Sequence, residues 1–129
     1  MPLIRVDYSE EHLPENALKK LNTAVFNASA DLFRLDQAAA QDKISIFNTP
    51  FGSVDHSTAS AEIEIRAKIS EFDHPTLSRD EVRQGYLKHY EVALLPCVRE
   101  LGLKAPIIFT ITFEDWQVIV LSAEGTVPN

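Results

Sequence analysis

The sequence predicts an α+β fold, a two-layer α/β sandwich in which duplicated β-α-β units form a four-stranded mixed sheet with two helices on one face. Three observations predict it. Apolar residues alternate in short runs, the mark of half-buried strands. They recur every three and four residues in two longer segments, the mark of amphipathic helices. The order of the two patterns is the same in each half of the chain.

Leu3 to Tyr8 is the first strand, with Ile4, Val6 and Tyr8 on one side and Leu3, Arg5 and Asp7 on the other. A polar turn follows to Pro14, which suits a helix start because its missing N–H is not needed there. Leu18, Leu21, Val25, Ala28, Leu32 and Leu35 then form one face of a helix of about six turns. Lys43 to Phe47 reads as the second strand, closed by Thr49-Pro50-Phe51-Gly52. After a loop of small and polar residues the pattern repeats. Ala61, Ile63, Ile65, Ala67 and Ile69 alternate with Glu62, Glu64, Arg66 and Lys68. Ser78 and Glu81 have the form of a capping box, in which a hydroxyl and a carboxylate satisfy exposed N–H groups at a helix start. Val82, Tyr86, Tyr90, Ala93, Cys97 and Leu101 carry the second helix, which Pro96 should kink or begin to end and Gly102 should stop. Ile107 to Phe113 is a fourth strand, and Gln117 to Leu121 a short apolar run that makes a fifth.

Each crossover joins parallel strands with a right-handed turn. Residues 1–129 form a single domain with pseudo-repeats 1–58 and 59–129. The third strand constrains the assembly. Its Glu62, Glu64, Arg66 and Lys68 face cannot lie against a dry core, so it meets water or paired charges. An open sandwich satisfies this, and so do several sheets closed around a wet channel.

The chain has 129 residues, 45% hydrophobic and 24% charged, which suits one compact domain. Its net charge of −7 argues against nucleic acid and anionic membranes as partners. Cys97 is the only cysteine, so no internal disulfide forms. No apolar run reaches membrane-spanning length and the start lacks a signal-peptide layout, so the expected location is cytoplasmic. His12, His56, His74 and His89 lack metal-ligand spacing. With four unclustered glycines there is no phosphate-binding loop. No metal and no cofactor is implied. Asp55-His56-Ser57 is a run of neighbours, whereas a catalytic triad is a geometry. Cys97, Tyr86, Tyr90 and His89 read as packing residues on a helix.

The Met1-Pro2-Leu3-Ile4 start, the doubled β-α-β plan, Lys43-Ile44-Ser45-Ile46-Phe47 and the Phe51-Gly52 pair resemble the tautomerase superfamily. Its members include 4-oxalocrotonate tautomerase, 5-carboxymethyl-2-hydroxymuconate isomerase and macrophage migration inhibitory factor. The segment from Ala61 through the second helix is most similar to the hydroxymuconate isomerase branch. The resemblance implies a homotrimer around a central channel and a small carboxylate substrate. It implies that Met1 is removed and that the Pro2 nitrogen becomes a general base and acid. A secondary amine kept neutral by burial takes a proton from the carbon beside a carbonyl and returns it elsewhere on the conjugated system. The resemblance further places Lys43 where a relative has an arginine, and His74 or Arg79 near a second one. His12 falls in the loop where a third stands. Phe51 would wall the pocket, and Trp116 would line it or a neighbour's.

Each of these residues also has a plain reading. Proline after an initiator methionine is common and is tolerated at a strand start. Arg79 suits a solvated first turn, Phe51 a loop anchor and Trp116 a packing residue. Two other functions stay open on the same scaffold. One is a lyase that decarboxylates or hydrates a short acid, with Asp36, Asp42 or Glu114 as base. The other is a binder without catalysis, because a fold does not fix a function.

Overall fold

The computed structural model describes residues 2–51, 63–69, 76–113, 120–122 and 125–127, the last two runs as backbone only. In chain order the elements are β1 (Pro2–Tyr8), α1 (Glu15–Leu32), α2 (Gln37–Lys43), β2 (Ser45–Pro50), β3 (Ile63–Ile69), α3 (Arg79–Leu101), β4 (Ile107–Phe113), β5 (Val120–Ser122) and β6 (Gly125–Val127).

β1 to β4 form one sheet in the order β2-β1-β3-β4. β1 and β2 are parallel, β3 and β4 are parallel, and β1 and β3 are antiparallel at the join. The two β-α-β units are therefore the two halves of a mixed sheet, as the repeated pattern predicts. β5 and β6 pair as a separate antiparallel two-stranded sheet.

The alternation of each strand decides which face is buried. Ile4 and Val6 of β1 and Ile63, Ile65, Ala67 and Ile69 of β3 are buried in the core. Leu21 and Val25 of α1 and Val82, Tyr90 and Leu94 of α3 join them there. Each fully buried Leu, Ile or Val contributes roughly 1.5–3 kcal/mol, so this seam holds the two layers together. One polar pair lies inside it. Ser29 Oγ donates to the carbonyl of Val25 at 2.8 Å, which spends its only proton. The Tyr90 hydroxyl, 2.7 Å away, therefore donates to Ser29 Oγ. Burial pushes the Tyr90 phenol up to about 12.

Three expectations about boundaries need correction. The first helix ends at Leu32 rather than running past Leu35. Arg34 takes a left-handed φ of 53°, and Asp36 starts a new helix by accepting the Ala39 N–H at 2.8 Å. There are thus three helices among the described residues, the extra one a short α2. The second strand begins at Ser45, not Lys43, because Lys43 closes α2 and Ile44 caps it. Finally, of the two outcomes expected at Pro96, a kink or the beginning of the helix end, the second does not occur there, and α3 runs on to Leu101. The carbonyl four residues back, which gives up its helical bond, belongs to Val92, an exposed residue.

The Ser78/Glu81 capping box is formed, and Gly102 ends α3 with φ 62°, a conformation glycine takes without steric cost. Of the run Gln117 to Leu121, Val120 and Leu121 lie in β5, and residues 117–119 lie outside the described residues. None of the described helices is long and apolar enough to cross a membrane.

Candidate active site

Pro2 heads β1 and is buried. It pairs with Ile69, the last residue of β3, and Ile69 pairs in turn with Phe113, the last residue of β4. The antiparallel join is what does this. It turns the C-terminal ends of the second unit's strands toward the N-terminal end of β1. That same end receives the start of β2, since Leu3 pairs with Ser45.

The other expected residues divide by position. Lys43 is the exposed last residue of α2, two places before β2 starts, and so belongs to the Pro2 end of the sheet. Its charge suits the C-terminus of α2, where unbonded carbonyls attract a cation. Arg79 is the exposed first residue of α3, the helix that follows β3 in the chain. Phe51 lies at the opposite end. Its N–H donates to the Tyr8 carbonyl at 2.7 Å, at the far end of β1. β1 rises about 3.3 Å per residue, so Phe51 and Pro2 are separated by about 20 Å within one chain. Exposed His12 is in the turn after β1, also away from Pro2. His74 and Trp116 lie outside the described residues.

Periodicity alone misses an aromatic group near the Pro2 end. Phe33, Tyr86 and Phe113 stack edge to face, with ring centroids 5.7 Å apart for Phe33–Tyr86 and 5.9 Å for Tyr86–Phe113. The Arg83 guanidinium lies over Phe113, 5.3 Å from its centroid. The spacing Tyr86–Arg83, one turn apart on α3, is the signal that marks this face; it reads first as a solvated helical residue.

The face of the sheet away from the helices carries Leu3, Arg5 and Asp7 beside Lys68, Arg66 and Glu64. Arg66 bonds Asp7 through Nη2 and lies 3.7 Å from Glu64 through Nε. Paired charge on this face agrees with the expectation for the third strand. Arg5 stands opposite Arg66 and has no ion-pair partner among the described residues. Phe47, its neighbour on β2, is 57% exposed on the same face.

Of the cavities lined by described residues, two of the larger lie elsewhere. One of about 720 Å³ is bounded by Tyr8, Leu13, Leu18, Asn22 and Asn48, near the Phe51 end. The other, about 650 Å³, runs between α3 and β4 past Leu94, Val98, Leu103 and Phe109. Its wall is mostly apolar, and the Lys88 and Glu91 that also line it pair with each other at 3.2 Å. Tyr90 reaches it, but its hydroxyl is held by Ser29 and its proton is held tightly. The thiol of Cys97 is half-buried, and burial raises its pKa, which makes it a poor nucleophile. His89 donates through Nε2 to the Ala28 carbonyl at 2.9 Å and so serves helix packing. Among the described residues no cluster of three His, Cys, Asp or Glu is arranged to hold a metal ion.

This topology is that of the tautomerase superfamily, whose fold the chain has. Similar solved structures include a probable enzyme from the thermophilic fungus Aspergillus fumigatus, at a TM-score of 0.58 and 16% identity over 92% of this chain and 80% of that one. A malonate semialdehyde decarboxylase inhibited by 3-bromopropiolate superposes at a TM-score of 0.57 and 15% identity, covering 95% of this chain and 92% of that one. A fused 4-OT that forms a symmetric trimer gives 0.54 and 15% identity over 95% of this chain and 93% of that one. No protein-family profile matches the chain, and no curated protein matches it by sequence.

Proposed function

We propose that the protein is an isomerase of a small keto-enol carboxylic acid, working through the nitrogen of Pro2 after Met1 is removed. The observation that carries this reading is the position of Pro2. It is buried at the end of the central pair of strands, where the ends of β3 and β4 and the start of β2 meet. With Met1 attached that nitrogen is an amide and has no basicity. Once free it is a secondary amine, and burial among Ile69 and its neighbours disfavours its charged form. The neutral amine takes a proton from carbon and returns it at the other end of the conjugated system. Lys43 and Arg79 supply cations at the same end for the substrate carboxylate, with His74 as a further candidate. Lysine does so as a point charge, without the two-bond fork of arginine.

Phe51 joins this site only from another chain, because its own Pro2 is at the far end of β1. We therefore place the activity in a homotrimer, in which Phe51 of one subunit reaches the Pro2 of the next and Trp116 lines the same pocket. The test is conversion of phenylenolpyruvate to its keto form by protein whose mass shows loss of Met1. Turnover should fall at least about 100-fold in Pro2→Ala, the range expected when a general base is removed.

A lyase uses the same nitrogen in its protonated state, and the likeness to malonate semialdehyde decarboxylase favours it as the second reading. Release of carbon dioxide from malonate semialdehyde, with no ketonisation of phenylenolpyruvate, would select the lyase.

A further inference from the structure

α3 carries an apolar strip that the sheet only half covers. Leu87, Leu94, Leu95 and Val98 lie along it and, with Ile107 and Phe109 of β4, line the cleft of about 650 Å³. At 1.5 Å per residue the strip from Leu87 to Val98 is about 16 Å long. β4 is an edge of the four-stranded sheet, with β3 on one side and no further strand of that sheet on the other among the described residues. The consequence shows within the strand. Ile107, Phe109, Ile111 and Phe113 share one face, yet Ile111 and Phe113 are buried while Ile107 and Phe109 are only half-buried. Across the cleft Leu95 is 40% exposed. A concave, mostly apolar volume of this size falls in the range of small-molecule sites.

The charges around the cleft give its ligand a polarity. Lys88 and Glu91 neutralise each other. Lys104, exposed in the connection from α3 to β4, also lines the cleft and has no ion-pair partner among the described residues. One uncompensated cation therefore stands where α3 finishes. The cleft is also separate from Pro2. Ile107 pairs with Ile63, and Ile63 with Tyr8, at the other end of β1. Six residues of strand, about 20 Å, lie between.

We propose that this cleft binds an aliphatic monocarboxylate, with its chain laid along α3 between Leu87 and Val98 and its carboxylate at Lys104. A chain fits better than a compact ring because the apolar wall is a long strip. An acid fits better than an amine because the unpaired charge is positive. This binding does not depend on what Pro2 does.

Calorimetric titration of the full chain with hexanoate, octanoate and decanoate tests it. Each added pair of CH₂ groups should tighten binding at least about fivefold. One fully buried CH₂ is worth about fourfold, and an open cleft leaves part of the chain wet. Leu95→Glu sets a charge on the apolar wall and should weaken decanoate at least about tenfold. Leu95 is partly exposed, so the variant keeps its fold. Lys104→Glu should weaken decanoate at least about fivefold and leave 1-decanol unchanged. Pro2→Ala should bind decanoate as the wild type does. Absence of saturable binding, the result if a second copy of the chain covers the cleft, would overturn the proposal. So would an affinity indifferent to chain length or to Leu95→Glu, or a Lys104→Glu effect equal on acid and alcohol. Loss of binding in Pro2→Ala would put the acid at the proline and overturn it as well.

Discussion

Tyr90 shows how one residue ties stability to pH. Its phenol is raised from 10.0 to about 12, first by burial, because the folded protein favours the neutral form. The stability this contributes is fully present below pH 10 and is lost as pH rises through about 12. Thermal denaturation across pH 9 to 12 should therefore show a decline that Tyr90→Phe makes shallower. At neutral pH the same variant should be less stable by about 1 kcal/mol, the worth of one lost hydrogen bond. An equally steep decline in the variant would show that other groups set it. The sequence revealed Tyr90 as a core residue through its spacing from Val82 and Tyr86. Its partner Ser29 was not legible, since a serine in a helical stripe carries no mark of a contact 61 residues away.

At the scale of elements, the two units and their strand pairing follow directly from the alternation, and the errors fall where local chemistry outweighs periodicity. Leu32 and Leu35 continue the helical stripe, yet the chain turns between them at Arg34. Asp36 ahead of Gln37-Ala38-Ala39-Ala40 is an N-cap followed by good helix formers, and reading it that way would have found α2 and moved β2 to Ser45. Arg34 has a Cβ in a left-handed conformation, which costs roughly 1–2 kcal/mol. Arg34→Gly should raise stability by up to about 1 kcal/mol in urea denaturation, the strain relieved less the extra freedom of the unfolded glycine. Ser78→Ala should lower it by about 1 kcal/mol, because the Glu81 N–H loses its acceptor. A stabilising Ser78→Ala would mean that the cap is not what holds the start of α3.

For the whole molecule, the candidate site was only half legible. Pro2 and Lys43 are candidates from the chain's start and from resemblance, and the parallel pairing of β1 with β2 sets them at one end of the sheet. The same pairing sets Phe51 at the other end, beside Tyr8. The separation of Pro2 and Phe51 and the charged face of the sheet, on which Phe47 of β2 is exposed, lead to one expectation. Sedimentation equilibrium should give three times the 14.5 kDa mass of the chain. Phe47→Asp should shift that equilibrium toward monomer, since it places a charge on the face that the neighbours would enclose, with little loss of monomer stability because Phe47 is exposed. A protein that sediments as a monomer would leave Phe51 outside any Pro2 site. The most direct test of the central claim is the rate of phenylenolpyruvate ketonisation by wild type and Pro2→Ala, on preparations whose intact mass shows that Met1 is gone. The processed wild type should turn the enol over, and the variant should be slower by at least about 100-fold. Equal rates in the two proteins, or full activity in protein that retains Met1, would contradict it.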